Sequence, residues 1–436
     1  MLAFVVAIAV GTLLLRHPLA HASGEAHGWL TALFTATSAV CVTGLVVVDT
    51  GGAWSPFGQL VIALLIKAGG LGILSLGALL ALATGRRIGF SERQRLQVQT
   101  NALTVGGVVR FVRSLLIYTS SVELLGALAL WPRLARDEGL WPGAWSAAFH
   151  ALSAFNNAGF SLYRDSLQRY AADAWVSAVV LALFVVGGLG LVVVVDVALR
   201  LGAGGNGRVQ RRVSLHTRLA LLTTLALALV GSASLAALEW RNPATLAALP
   251  VEARPLAAAF QALTPRTAGF DALDVSGYRT STVLLTMGLM IVGGNPGSTA
   301  GGLKTTTLAV LVLAALSAAR GRQRVSAFGR TIGSETITKA AVLVTLAALS
   351  LGLASTLLAH TDGALGALEL QFEAISAFAT VGLSLGITSE LSTAGRVTLI
   401  ALMFVGRVGL LTVALALAAG ERAPAARYPH EDVVVG

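Results

Sequence analysis

Four short segments, each ending in a glycine, are the residues of this chain with the clearest chemical potential. The glycines are Gly44, Gly159, Gly269 and Gly382, separated by 115, 110 and 113 residues, and each follows a phenylalanine by nine or ten residues. Glycine permits backbone angles that a Cβ would penalise, so the chain can turn sharply and backbones can converge there. Four such turns meeting on one axis would present rings of carbonyl oxygens, which replace the hydration shell of a potassium ion.

The candidate ion-binding residues are therefore the last four positions of each segment. They are Cys41, Val42, Thr43 and Gly44; Asn156, Asn157, Ala158 and Gly159; Arg266, Thr267, Ala268 and Gly269; and Ala379, Thr380, Val381 and Gly382. The bland alternative is that these glycines only allow helices to pack closely. The side chain of Arg266 is expected to turn away from the axis as a brace. Cys41 is interpreted as a small filler.

Each glycine turn closes a helix-like stretch that is too short to cross a bilayer. The stretches occupy 29–45, 145–161, 255–271 and 370–384, and each lies between two longer apolar runs. Spanning the hydrocarbon layer takes about 20 residues of helix. The sequence therefore predicts a unit of helix, half-helix, extended turn and helix that occurs four times in one orientation. Repeats in one orientation imply pseudo-fourfold symmetry about the membrane normal.

A second glycine signal falls in the helix after each turn. The clusters are KAGGLG (67–72), VVGGLG (185–190), VGGNPG (292–297) and VGRVG (405–409). Close helix packing and an irregular backbone that lines a water-filled path both explain them, and the sequence leaves the two open.

The third cluster belongs to a longer string, IVGGNPGSTAGGLKTTT (291–307), that cannot continue a regular helix. Each glycine costs about 1 kcal/mol in a helix and proline about 3 kcal/mol. A phosphate loop is excluded because Leu303 separates Gly302 from Lys304. We expect a broken helix with a gating role. Its candidate residues are Gly293, Gly294, Asn295, Pro296, Gly297, Ser298, Thr299, Ala300, Gly301, Gly302 and Lys304.

Two basic residues fall in the helices that follow the glycine turns, which we call the inner helices. Arg407 stands where the other three clusters have glycine, and an arginine at mid-membrane costs at least ~2.5 kcal/mol unless it meets water or a partner. It is either a gating charge below the filter or one half of an ion pair, with Glu123, Asp196 and Glu373 as the candidate carboxylates. Lys67 could reach the membrane surface, pair with a carboxylate or act as a second gating charge.

Composition defines the class of protein. Only 12% of the 436 residues are charged and mean hydropathy is +0.78, whereas soluble domains carry about 25% charged residues. Eighteen of the 31 lysines and arginines lie in 86–113, 200–218, 320–339 and the C-terminal tail, which puts those segments in the cytoplasm. The net charge of +10 thus reflects topology and predicts no nucleic-acid partner. The first apolar stretch is interpreted as a membrane helix rather than a signal peptide.

CVTG, NNAG, RTAG and TVG, each after a short half-helix, resemble the four filter segments of the Trk/Ktr/HKT superfamily of potassium transporters. The resemblance covers essentially the whole chain and is greatest to the membrane subunit of bacterial Ktr-type uptake systems. GGNPGSTAGGLKTT is similar to the family's intramembrane gating loop. Gly44 stands where sodium-preferring plant members have serine. Lys67 departs from the family, which has a neutral polar residue there.

The resemblance implies a potassium-channel-like, all-α polytopic membrane protein with about eight spanning helices. The repeats would occupy 1–86, 87–200, 201–320 and 321–436. The resemblance also implies potassium as substrate, sodium as an optional activator, no covalent cofactor and a homodimer in the bacterial cell membrane. It further implies a cytosolic regulatory ring as a partner, and a nucleotide is expected to bind only to that ring.

Rival interpretations are a plain channel, a sodium-selective or ion-coupled transporter, an intramembrane enzyme, and a scaffold or receptor subunit. H-E-x-x-H does not occur, and no enzyme is expected. A scaffold would make no functional demand on the four filter glycines. The seven histidines show no metal-binding spacing.

Overall fold

The computed structural model describes residues 2–22, 27–72, 105–202 and 213–409, and its long elements are all α-helices. A two-stranded hairpin, β1 (Ser326–Ala327) and β2 (Arg330–Thr331), lies between two of them. The helices in chain order are α1 (Leu2–Arg16), α2 (Trp29–Cys41), α3 (Thr50–Ala53), α4 (Pro56–Gly70), α5 (Val105–Glu138), α6 (Leu140–Phe155), α7 (Ala174–Leu189), α8 (Leu191–Gly202), α9 (Leu215–Glu239), α10 (Arg254–Leu263), α11 (Thr280–Ile291), α12 (Thr305–Ala319), α13 (Ser334–Thr361), α14 (Ala367–Ala379) and α15 (Thr393–Val408).

The helices fall into four groups of outer helix, pore helix and inner helix. The groups are α1, α2 and α4; α5, α6 and α7–α8; α9, α10 and α11–α12; and α13, α14 and α15. Each pore helix has 10 to 16 residues, so at about 1.5 Å per residue it falls short of the bilayer. The predicted all-α class is confirmed. The predicted boundary at 86 and the tail after 409 lie outside the described residues, and the division into repeats stays a prediction.

Fewer helices than the predicted eight are long enough to span a membrane unaided. Within the described ranges, α5 (over Arg113–Glu138), α9 and α13 meet that length and apolarity, and α7 with α8 makes a fourth span bent by 92°. The bend occurs at Gly190, whose φ of +80° is easily adopted only by glycine. Four other helices that the grouping treats as outer or inner segments (α1, α4, α11 and α12) are apolar but have 10 to 17 residues.

The four groups close into a ring through contacts between successive repeats. Each inner helix packs against the pore helix of the next group: α4 on α6, α7 on α10, α11 on α14, and α15 on α2. The pore helices are thus surrounded by protein, and each carries a phenylalanine that is at most 2% exposed: Phe34, Phe149, Phe260 and Phe372.

Glycines of the inner-helix clusters allow helices to touch. In three repeats a Cβ added to the first glycine of the cluster would overlap a carbonyl oxygen near the end of that repeat's pore helix: Gly69 on Val40, Gly187 on Phe155 and Gly406 on Phe378. In the third repeat, Gly293 instead meets the backbone of Gly301. Close packing therefore accounts for the first glycine of each cluster.

The outward ends of the outer and inner helices are joined by buried carboxylates in the third and fourth repeats. Glu239 at the end of α9 accepts hydrogen bonds from the Thr282 hydroxyl (2.5 Å) and the Arg279 N–H (3.1 Å) at the start of α11. Asp362 after α13 accepts from the N–H (2.6 Å) and hydroxyl (3.0 Å) of Ser392, the residue before α15. These bonds fix the distance between the outer and inner helix of each of these two repeats. The pore helix of the repeat lies between those two helices.

We predict that Glu239→Gln destabilises the protein. Glu239 is fully buried, and Asn242 and Thr245 also donate to it, so an amide would place N–H groups against donors. The expected loss is roughly 2–3 kcal/mol, seen as a melting temperature several degrees lower in detergent. Glu252→Gln, at an exposed site, is the matched control, and equal melting temperatures for both variants would contradict this role for Glu239.

Candidate functional site

The four filter segments share one unusual backbone conformation. The residue two positions before each glycine is left-handed, with φ between +53° and +77°, and the glycines have φ between +70° and +96°. The non-glycine members are Val42, Asn157, Thr267 and Thr380. Left-handed backbone is uncommon outside glycine and costs of order 1 kcal/mol or more, so the surrounding fold must impose it.

The four glycines form a closed ring. A Cβ added to each would meet the carbonyl oxygen of the residue before the next repeat's glycine: Gly44 faces Ala158, Gly159 faces Ala268, Gly269 faces Val381, and Gly382 faces Thr43. A Cβ on Gly159 would lie 3.0 Å from the Cα of Gly269. No side chain fits between these backbones, which is why glycine is required at all four positions.

In each filter, a backbone N–H group donates a hydrogen bond to a serine or threonine in the pore segment of the same repeat. The acceptors are the carbonyls of Ser38 (from Thr43, 2.8 Å), Ser153 (from Ala158, 2.8 Å), Thr264 (from Ala268, 2.9 Å) and Ser376 (from Val381, 2.8 Å). The hydroxyls of Ser38 and Ser376 also accept from the N–H of Gly44 and Gly382, at 3.1 Å. The sequence analysis missed these residues, although a hydroxyl stands five or six positions before every filter glycine.

The filter carbonyls contrast with these N–H groups. Within the described part of the chain, no hydrogen bond is accepted by the carbonyl oxygens of 42–44, 157–159, 267–269 or 380–382. A bare carbonyl at membrane depth costs several kcal/mol unless it faces water or a cation. The pore helices end within six residues of these carbonyls, so their negative dipole ends add to the potential there. The arrangement is chemically suited to a dehydrated cation.

Side chains contribute little directly to the ring. Arg266 is directed towards α9 and the broken helix, donating to the carbonyls of Thr224 (3.5 Å) and Gly293 (3.4 Å), as the brace interpretation predicts. The Asn156 amide donates to Glu123 (2.8 Å), and Cys41 is buried at the end of α2. Three threonine hydroxyls of the filters are buried and unpartnered among the described residues: Thr43, Thr267 and Thr380.

A loop over 292–304 separates α11 from α12 and holds all the predicted gating residues except Arg407. Asn295 anchors it: its N–H donates to the Gly188 carbonyl (3.1 Å) and its amide to the Leu189 carbonyl (3.2 Å). The loop reaches two filters. The Thr299 hydroxyl lies 2.9 Å from the Asn157 amide, and Gly301 packs so closely on Thr380 that a Cβ would overlap it.

Arg407 contacts backbone carbonyls rather than a carboxylate. Its guanidinium donates to the carbonyl of Thr299 in the loop and to that of Gly69 in α4 (2.5 Å). The three candidate partners are engaged elsewhere: Glu123 with Lys67, Asp196 with Ser214, and Glu373 with Ser384 and Thr388. The ion-pair alternative for Arg407 is therefore wrong. Lys304 donates within the loop, to the Ala300 carbonyl (2.6 Å).

Three acidic residues beyond the filters are occupied by local structure. Asp49 caps α3 through the Gly52 N–H (2.6 Å), Asp274 accepts from the Ser276 N–H (2.9 Å), and Asp165 pairs with Arg169 (2.7 Å). Partial burial alone would raise the pKa of Asp165, but hydrogen bonds from Arg169 hold its pKa below the ordinary value. Among the described residues, no group of three His, Cys, Asp or Glu side chains could hold a metal ion.

Comparison with known proteins agrees with this geometry. Residues 4–424 match the family model described as TrkH, cation transport protein. The chain is 40% identical to the Ktr system potassium uptake protein B of Bacillus subtilis, over 99% of this chain and 95% of the relative. It is 37% identical to the potassium/sodium uptake protein NtpJ of Enterococcus hirae, over the same shares of each chain.

The fold matches that of a solved structure. The crystal structure of the potassium transporter TrkH from Vibrio parahaemolyticus aligns with a TM-score of 0.73 at 18% identity, over 95% of this chain and 83% of that one. The chain is therefore a multi-pass membrane protein and a transporter rather than an enzyme. It belongs to the TrkH family of cation transport proteins.

Proposed function

We propose that this protein carries potassium into the bacterial cell through one central pore per chain. The observation that carries the proposal is the closed ring of Gly44, Gly159, Gly269 and Gly382 with its unpaired carbonyls. Oxygen ligands fixed by backbone geometry suit a cation that sheds its water. The uptake functions named for the relatives in Bacillus subtilis and Enterococcus hirae support the same conclusion.

The loop over 292–304 is proposed to be the gate. It contacts the second and fourth filters through Thr299 and Gly301, on the side of the inner helices, and Arg407 ties it to α4. In that position the loop obstructs the path below the ring, and the Arg407 charge opposes a passing cation. Opening requires breaking the two carbonyl contacts of Arg407 or moving α4 and α15 together with the loop.

Control is proposed to come from a separate cytosolic regulatory subunit. The name of the Bacillus subtilis relative, Ktr system potassium uptake protein B, describes one protein of a system and supports this proposal. A nucleotide-binding ring and a second copy of this chain are the expected partners. The basic cytoplasmic segments are the surfaces that such partners could contact. Sodium is proposed only as an activator, with no covalent cofactor.

A sodium-selective or ion-coupled transporter is the alternative, favoured by the potassium/sodium name of the Enterococcus hirae relative. The two proposals differ in a measurable way. Potassium-selective uptake restores growth of potassium-uptake-deficient cells at low external potassium, and rubidium flux persists when sodium is replaced by choline. Flux that needs sodium at every potassium concentration would favour the alternative.

We predict that Gly159→Asp abolishes uptake. The new side chain would clash with the Gly269 backbone and place a carboxylate in the ring. Rubidium uptake in deficient cells should fall to the level of cells without the transporter. Gly288→Ala is the matched control, because no atom lies within 4 Å of a Cβ added to that inner-helix glycine. Wild-type uptake by Gly159→Asp would refute the pore proposal.

We predict that Arg407→Ala raises cation flux or uncouples it from control. Loss of the guanidinium removes both tethers of the loop and a positive charge below the ring, so potassium flux into proteoliposomes should rise roughly three- to tenfold. Arg396→Ala, on the same helix but bonded to the Ser389 carbonyl, should leave flux unchanged. Unaltered flux and control in Arg407→Ala would count against a gating role.

A further inference from the structure

Lys67 is held as a bound cation would be. Its ammonium donates to both carboxylate oxygens of Glu123 (2.8 and 2.7 Å) and to the Thr119 hydroxyl (2.9 Å). These three bonds use all three donors of the ammonium. The residues equivalent to Lys67 in the other repeats are apolar: Val185, Ile291 and Phe404. The arrangement therefore belongs to the first and second repeats alone.

The acceptor side of this cluster reaches the second filter. Glu123 also accepts from the Asn156 amide (2.8 Å), and Asn156 directly precedes the left-handed Asn157. The Asn156 amide is confined on another side by Gly70, where an added Cβ would overlap it. The position of Glu123 thus sets the position of the residue from which the filter turn begins.

The positive charge of Lys67 matters because the carboxylate beside it is mostly buried. The side chains of Lys67 and Glu123 are 19% and 11% exposed, and they lie on the apolar helices α4 and α5. A carboxylate in that environment requires a compensating positive charge. Carboxylate and hydroxyl oxygens are also ordinary ligands of free sodium and lithium ions, to which they approach more closely than to an ammonium.

We propose that Glu123 and Thr119 form a monovalent-cation site separate from the filter, filled in this chain by the tethered ammonium of Lys67. The tethered charge makes Lys67 a positioning residue, because it holds Glu123 and, through it, Asn156 and the second filter. Removal of the ammonium vacates the site, and a small alkali cation, sodium or lithium, takes its place. The inference rests on the proposed function only where it concerns the filter.

Binding is tested by thermal unfolding of the purified chain at constant potassium, with added sodium, lithium or choline chloride. Lys67→Gln should melt ~3 °C or more higher in sodium or lithium than in choline. Wild type and the double variant K67Q/E123Q should show no such difference. Lys339→Gln, which breaks the exposed Lys339–Glu335 pair (2.5 Å), is the matched control. An equal response of Lys67→Gln to all three salts, or the same response in the double variant, overturns the proposal.

The positioning role has a separate readout in ion selectivity. Glu123→Gln should lower the rubidium-to-sodium flux ratio roughly tenfold by loosening the support of the filter. The reversed pair K67E/E123K, which retains both charges, should restore most of that ratio and serves if Lys67→Gln does not fold. Selectivity that is equally poor in the reversed pair and in Glu123→Gln contradicts the positioning role.

The two hypotheses fail in different ways. If wild type carries no potassium but Lys67→Gln gains sodium-dependent stability, the proposed function is wrong and the cation site stands. If wild type carries potassium and Lys67→Gln gains no stability from sodium or lithium, the cation site alone is wrong.

Discussion

The structure depends on a difference between the backbone N–H groups and the backbone carbonyls at the filter ring. N–H groups of all four filters are bonded outward to a serine or threonine of the pore segment, whereas the carbonyls of the same peptides have no protein donor among the described residues. In lipid this imbalance would be prohibitive. The helices around the ring make this imbalance tolerable. Pore helices are enclosed by inner helices of neighbouring repeats, and glycines let those helices approach to backbone contact.

The ring proposed to select the ion and the loop proposed to gate it are different parts of this scaffold. The ring is made of features that all four repeats share: a hydroxyl residue, a left-handed residue and a glycine. The loop, Arg407 and the Lys67–Glu123 pair each occur in one place. Arg266 links the two parts, because it lies in the third filter and bonds to the Gly293 carbonyl at the start of the loop. Movement of the loop therefore bears on the third filter as well as on the second and fourth, which Thr299 and Gly301 contact.

Much of this architecture was predictable from the sequence because the signals are local and repeated. Four glycines in register, half-helices too short to span, and the break after Ile291 each follow from residues close together in the chain. Three features were not predictable. The bend at Gly190, the acceptors of Arg407 and the Lys67–Glu123 pair depend on which helices become neighbours. Lys67 and Glu123 are 56 residues apart, and several other carboxylates were equally plausible partners by spacing alone.

The closure of four unequal groups into one ring has a consequence for charge. A pore assembled from four identical subunits can change a residue only in fours, so an arginine at the level of Arg407 would bring four positive charges to the axis. A single chain can place one. In a low-dielectric path the repulsion felt by a cation grows in proportion to that number. Joining the quarters covalently thus lets the height of an electrostatic barrier be set one unit charge at a time.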